Sequence, residues 1–287
     1  MHHDVPRYVL YISFIMNFDS ENNPDTHRRS PNSKNRIAAH FGRKVSRYEE
    51  HAVIQQKLLD NLVPEIVACS TPDAHWADFG CGNGGLEKKL TAHGWHGRMT
   101  GIDIAFESLR FCIKTHHAHM SWGCADAELP PFKNSTFQGI VAASMIQWTA
   151  HPDTTIGTLA ALLKPGGFFI FSLFTEGSFR ELYEIRKQYN LPIPATLYHE
   201  SAIEPLLQCS NLQPLKIVPF SETVYFSSAR KLLRHLSLIG STGTDSRPLT
   251  RSNLQRFCDD LENRFGTEKG VPLTYKAFFG TARKGDK

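Results

Sequence analysis

Apolar residues are spaced regularly in the first half of the chain and less so in the second. From about Asn35 to Val63, the residues Ile37, Phe41, Val45, Tyr48 and Ala52 recur at three- and four-residue intervals. That spacing makes one apolar stripe and predicts an amphipathic helix. Pro64 falls where such a helix would end. Short apolar runs and helical stretches then alternate. Strands are expected at His75–Phe79, Arg98–Asp103, His119–Cys124, Thr136–Ala143 and Phe168–Leu173. Helices are expected between them at Leu86–Ala92, Phe106–Thr115 and Thr154–Leu163, the last stopped by Pro165-Gly166-Gly167. Phe168–Leu173 is nearly continuous in apolar residues, as a strand covered on both faces would be. Strands alternating with helices give an α/β, doubly wound parallel sheet.

The second half has helical patterns at 178–189, 200–209, 228–239 and 250–264. Leu212–Phe226 reads as one long strand and Tyr275–Arg283 as a final strand. Residues 227–272 lie between these two strands and read as a helical insertion, a cap within one domain spanning 35–287. Residues 17–35 are polar and too poor in apolar groups to order themselves, so 1–34 is expected to be a disordered extension. The apolar run Tyr8–Phe18 is too short to span a membrane and lacks a signal peptide's flanks. Met16 is the expected start of translation.

Composition narrows the classes without choosing one. The net charge of +4 is spread thinly, with no Lys/Arg run, so nucleic acid is not the expected partner. The six cysteines form no C-x-x-C pair, which fits reduced thiols in a cytoplasmic protein. His116, His117 and His119 cluster, but no neighbouring Cys, Asp or Glu completes a ligand set, so no metal is expected. Glu49-Glu50 and Asp259-Asp260 read as solvated helix faces. Oligomeric state is not legible.

The chemistry concentrates at Asp78-Phe79-Gly80-Cys81-Gly82-Asn83-Gly84-Gly85, a strand end, a glycine turn and a helix start. Gly80, Gly82 and Gly85 satisfy the dinucleotide fingerprint, and Asp103 ends the next strand about 20 residues on, where a ribose diol would need it. On these features a nicotinamide dinucleotide and S-adenosylmethionine (SAM) are tied. Asp78 breaks the tie, because a carboxylate beside this turn would repel a pyrophosphate but attract the ammonium and sulfonium of SAM. Asp126 follows the third strand, where a carboxylate can accept from an adenine amino group while the next backbone N–H donates to the ring.

Asp78 to Gly84 resembles the first motif of class I SAM-dependent methyltransferases, and Asp103, Asp126 and Ser144-Met145-Ile146-Gln147-Trp148 match its later motifs. The resemblance implies a Rossmann-like, seven-stranded, mostly parallel sheet with an antiparallel last strand and an N-terminal lid helix. It implies SAM as cofactor, held by Asp78, Gly80, Gly82, Gly84, Asp103, Ile104, Asp126, Ala127 and Ser144. The flanks are similar to the malonyl-acyl-carrier-protein (malonyl-ACP) O-methyltransferases of biotin synthesis, the BioC family. The residues concerned are Phe41 to Ala52, Gln147-Trp148, Thr175 to Leu182, Ile239 to Gly243, Leu249 to Leu254 and Pro272 to Lys276. Phe79 departs from the smaller residue more usual there, as does the extension before Lys34.

That likeness implies methyl transfer to the free carboxylate of malonyl-ACP or malonyl-CoA. The acceptor is ionised at neutral pH, so no general base is required and alignment should dominate. Tyr48, Gln147 and Trp148 are the candidate catalytic positioners, and Arg43, Arg47 and Lys276 the candidates for the substrate carboxylate. Arg180, Arg230, Lys231 and Arg234 are candidates for a basic rim facing an acidic carrier protein. Two other readings stay open. One is a SAM enzyme acting on another small carboxylic acid or a quinone-like ring, and the other is a SAM-binding protein without turnover.

Overall fold

A computed structural model describes residues 38 and 42 and residues 45–115, 120–189, 197–239 and 250–286, without the side chains of Ser46, Arg47, Arg186 and Lys187. The expected extension 1–34, the Met16 start, Arg43, the histidine cluster 116–119 and the motif 240–243 lie outside the described residues, as does Leu249. So does the side chain of Arg47. No helix among the described residues is long and apolar enough to cross a membrane.

The described chain begins with α1 (Val45–His51) and α2 (Val53–Cys69). One helix was expected here. The two segments meet at Ala52, whose ψ of 47° departs from helical geometry. Pro64 lies inside α2, not past its end. A proline there removes a hydrogen bond, at a cost of about 3 kcal/mol. Leu58, Leu62, Val63 and Ile66 are nevertheless all buried. Burial on both sides of the proline carries the helix through it.

The core alternates as expected: β1 (His75–Phe79), α3 (Gly85–Ala92), β2 (Arg98–Asp103), α4 (Phe106–Thr115), β3 (Met120–Cys124), β4 (Phe137–Ala143), α5 (Pro152–Leu162) and β5 (Leu163–Phe174). Helices α6 (Arg180–Arg186) and α7 (Ile203–Cys209), strand β6 (Leu212–Phe226), α8 (Ala229–Leu238), α9 (Arg251–Phe265) and β7 (Val271–Lys284) follow. The seven strands are ordered β3-β2-β1-β4-β5-β7-β6. β1 to β5 are parallel, and β7 runs antiparallel to β5.

The starts of β7 and β5 differ most from expectation, and β7 begins at Val271, inside the expected insertion 227–272. β5 starts at Leu163, which pairs with Phe137, and the next pair is Phe168 with Gly139. Lys164-Pro165-Gly166-Gly167 therefore bulges out of a strand already begun. Gly166, at φ 70°, makes that bulge possible.

The chain separates into two compact units. The larger holds β1 to β5, most of β6 and β7, and α1 to α5 with α7. On one sheet face Ala77, Phe79, Ile140, Phe169 and Phe171 pack with Ile156, Leu159, Ile203 and Leu207 from α5 and α7. The opposite face carries Trp76, Asp78, Gly101 and Asp103, following the two-residue alternation of a strand. Trp76 lies over Gly139 of β4, where a Cβ would stand 2.3 Å from the indole. Gly139→Ala should therefore lower stability by about 1–3 kcal/mol in denaturant unfolding at an unchanged m-value.

The smaller unit comprises 179–196 and 223–274. Its centre is the buried Glu181, whose carboxylate accepts from the Thr274 N–H at 3.0 Å and the Thr274 hydroxyl at 2.5 Å. Leu232, Leu233 and Leu236 of α8 are buried, as are Phe257 and Leu261 of α9. The Ala229 N–H donates to Glu262 at 2.8 Å and joins these helices.

Candidate active site

The carboxyl ends of β1, β2 and β4 meet around the glycine turn, where open α/β sheets bind their ligands. The turn is anchored to β2. The N–H groups of Gly80 and Cys81 both donate to the Ile102 carbonyl, at 2.7 and 3.1 Å. The Gly82 N–H donates to Asp103 Oδ2 at 2.9 Å, and the Ala105 N–H donates to Asp103 Oδ1 at 2.7 Å. Both bonds favour ionised Asp103, while burial pushes its pKa the other way and leaves it raised. Gly80 has φ 82°, and a Cβ there would lie 2.4 Å from Met145 Cγ. Gly84, also left-handed, precedes the first residue of α3.

Asp78 is buried at the tip of β1, and its Oδ1 has no hydrogen-bond partner. Burial, then Glu87, then Asp103 push its pKa well above the usual carboxylate range. A buried acceptor without a donor, beside a glycine turn, fits a ligand that brings a cation.

The loops after β3 and β4 close the rest of the edge. The Ala125 N–H donates to the Asp103 carbonyl at 3.1 Å, which ties the Asp126-Ala127 segment to the β2 tip. Asp126 Oδ1 accepts from the Glu128 N–H at 2.9 Å, and the Ala150 N–H donates to the Glu128 carboxylate. Ile104, Asp126 and Ala127 are half-buried. After β4, Ser144 adopts φ 52° and its hydroxyl lies 3.1 Å from that of Ser172. A short 3-10 turn, Ile146–Trp148, follows. Gln147 Nε2 donates to the Ser144 carbonyl at 2.9 Å, and the buried Gln147 Oε1 has no partner.

Tyr48 of α1 comes close enough to Asp103 to feel its charge, and burial with that charge pushes the phenol pKa up. Tyr275 of β7 is fully buried, and burial followed by the influence of Tyr48 raises its pKa too. Helix α1 is held on α3 by the Lys88–Glu49 ion pair at 2.7 Å. Glu49, like Glu50, is exposed as expected, and it pairs with Lys88 at the surface.

The structure brings together Tyr48, Asp78, Gly80, Gly82, Asp103 and the Asp126 loop, with Ser144 and Gln147 on the adjoining turn. Lys276 stands at the same sheet edge, one residue before Ala277, which pairs with Phe174. Its stem packs on Gly177, 3.0 Å from the position of a Cβ there. In the smaller unit Arg180 faces Glu181, Arg230 donates to Gln255, and Lys231 and Arg234 are exposed. Also there, Asp259 accepts from Gln255 at 2.7 Å and Asp260 accepts from the Tyr189 hydroxyl.

Glu87, Met145 and Tyr275 were not anticipated as site residues. Glu87 had a legible signal: it stands three residues before Leu90, on the apolar side of an otherwise charged helix.

The strand order, the antiparallel β7, the glycine turn and the acidic β2 tip define a class I methyltransferase fold, and the cofactor of this class is SAM. Residues 77–171 match the family model described as a methyltransferase domain. The chain is similar to the malonyl-[acyl-carrier protein] O-methyltransferase of Haemophilus ducreyi, 29% identical over 85% of this chain and 94% of that one. It is also 28% identical to the biotin biosynthesis bifunctional protein BioHC of Cellvibrio japonicus, over 86% of this chain. That match spans 49% of the bifunctional protein, about half its length. Among solved structures, a candidate methyltransferase from Bacillus halodurans C-125 shares the fold with TM-score 0.59 at 14% identity, covering 79% of this chain and 98% of that one.

Proposed function

We propose that this protein transfers the SAM methyl group to the free carboxylate of malonyl-ACP, the ester-forming step that opens pimeloyl synthesis for biotin. The observation that carries this reading is the likeness to the Haemophilus ducreyi enzyme over 94% of its length, well beyond the methyltransferase domain of 77–171. The methyl ester masks a charge that an apolar elongation pocket would otherwise have to bury unpaired.

SAM, when bound, supplies a methyl group on a positively charged sulfur. The chain's own residues bind and align. Asp78 offers a partnerless Oδ1 to the cationic end of the cofactor. Asp103 fixes the glycine turn through the Gly82 N–H and, as a carboxylate, keeps lone pairs for ribose hydroxyls. Gly80, Gly84, Ile104, Asp126, Ala127 and Ser144 line the rest of the cofactor site. Tyr48 has its phenol pKa pushed up, so it stays protonated and can donate to an acceptor carboxylate without ever serving as a base. That suits a nucleophile that is already ionised. Gln147, with its Nε2 committed to Ser144, presents Oε1, and Trp148 provides an apolar wall against water. Arg43, Arg47 and Lys276 are proposed as partners of the malonyl carboxylate. Residues 35–287 would act as one methyltransferase domain with 227–272 inserted before the last strand, working in the cytoplasm.

The test is incubation with SAM and malonyl-ACP, malonyl-CoA, free malonate and other small acids, read by mass spectrometry. A methyl ester on the carrier-protein thioester is expected. Methylation of a free acid alone would move the protein to another acceptor, and SAM binding without any product would make it a non-catalytic binder.

A further inference from the structure

The larger unit buries more acid beneath the glycine turn than cofactor contacts need. Glu87, in the first turn of α3, is fully buried, and neither carboxyl oxygen has a hydrogen-bond partner. Gly101 makes room for it on β2. A Cβ at Gly101 would stand 3.1 Å from Glu87 Oε1 and 2.4 Å from the Trp122 ring. Gly101 pairs with Asp78 across the sheet and shares its face with Asp103. The Glu87 carboxyl is thus aimed at the face that carries both cofactor-site aspartates.

The titratable groups facing it are all acids: Asp78 from β1, Cys81 from the turn, Asp103 from β2 and Cys112 from α4. Helix α2 brings the uncharged Gln56 and Leu59 against Gly85 at the start of α3. The lysines of α3 point elsewhere, Lys88 to Glu49 and Lys89 to Asp60. Asp103 can remain ionised because two backbone N–H groups donate to it. Glu87 has only its own backbone N–H nearby, against the two donors that hold Asp103, and a carboxylate so weakly served in these surroundings takes up a proton. Burial accordingly lifts its pKa to about 8.

We propose that Glu87 holds a proton within the Asp78–Glu87–Asp103 cluster, and that arrival of the cationic cofactor displaces this proton to solvent. The O–H bond breaks, the electron pair stays on the carboxylate, the proton passes to buffer, and no bond to the cofactor forms. Glu87 is then a positioning residue, matching the negative charge under the turn to the positive charge of the ligand. This rests on SAM being the cofactor.

The experiment is calorimetric titration of the full chain with SAM at pH 7 in two buffers of different ionisation enthalpy. The wild type should release roughly 0.5–1 proton per SAM bound. Glu87→Gln should still bind SAM, with the release reduced at least about fivefold. Infrared difference spectra of the wild type alone should show loss of a protonated-carboxyl C=O band on SAM addition, which keeps the test independent of how the variant folds. SAM binding by the wild type without proton release or band loss would overturn the proposal. So would an undiminished release from Glu87→Gln. No SAM binding by the wild type would overturn the cofactor assignment and the proposal together.

Discussion

Asp103→Ala should lower SAM affinity by at least about 100-fold while leaving the protein folded. The side chain joins the glycine turn to the start of α4 by accepting from Gly82 and Ala105. Each bond to a charged acceptor contributes about 1.5–3 kcal/mol, and truncation leaves two backbone donors without their partner. The turn would lose its anchor in the region where the cofactor's ribose is expected. Asp103→Asn should recover only part of the loss, because one of its two terminal groups is itself a donor and cannot accept from an N–H. The two variants, titrated with SAM by calorimetry, should therefore rank wild type, Asn, Ala. Equal affinity for all three would remove Asp103 from the site. Loss of Asp103 should also lower the phenol pKa of Tyr48, since the aspartate charge helps to raise it. Ultraviolet titration of the tyrosines would read that shift.

Glu87→Gln should stabilise the protein, and the gain should grow with pH. The folded-state pKa of about 8 lies above the ordinary 4.5. Below 4.5 both folded and unfolded chains hold the proton, and the contribution is fully present. Between 4.5 and 8 only the folded chain holds it, so wild-type stability falls as pH rises through this window, by up to about 1.4 kcal/mol per pH unit. Gln does not titrate. The difference between variant and wild type should be small at pH 4.5 and reach roughly 3 kcal/mol by pH 7. Denaturant unfolding at pH 5, 6, 7 and 8 would follow it. A gain independent of pH would mean that Glu87 stays ionised in the folded chain.

The fold was legible because its sheet depends on local patterns. Strand β1 ends at the glycine turn and β2 at an acid, and each of β1 to β5 is followed or preceded by a stretch with a different pattern. Errors fell where tertiary contacts override local preference, as at Pro64 inside a buried helix and at the bulge 164–167 inside β5. The cofactor half of the site was legible for the same reason, since Asp78, the glycines and Asp103 follow one another at strand tips. The approach of Tyr48 to Asp103 needed the path of α1, which no spacing reveals. Glu87 had a signal in its place on the apolar side of α3, but the room for its carboxyl comes from Gly101 of β2, which no local spacing reveals. Arg43, Arg47 and Lys276 drew attention only as cations, and a cation's partner depends on three-dimensional neighbours.

The contact between Met145 and Gly80 bears on how such enzymes diversify. The residue that leads into the Gln147-Trp148 turn rests on the glycine that shapes the cofactor turn, with no room for a methyl group between them. The two segments come from different strands yet cannot vary independently. A chimera that imports residues 144–148 from a relative with another acceptor would have to bring a side chain at 145 that still fits over position 80. Otherwise the graft would disturb the methyl donor's site while altering the acceptor's. Positions 80 and 145 are therefore coupled by packing, and a change at either must be matched at the other.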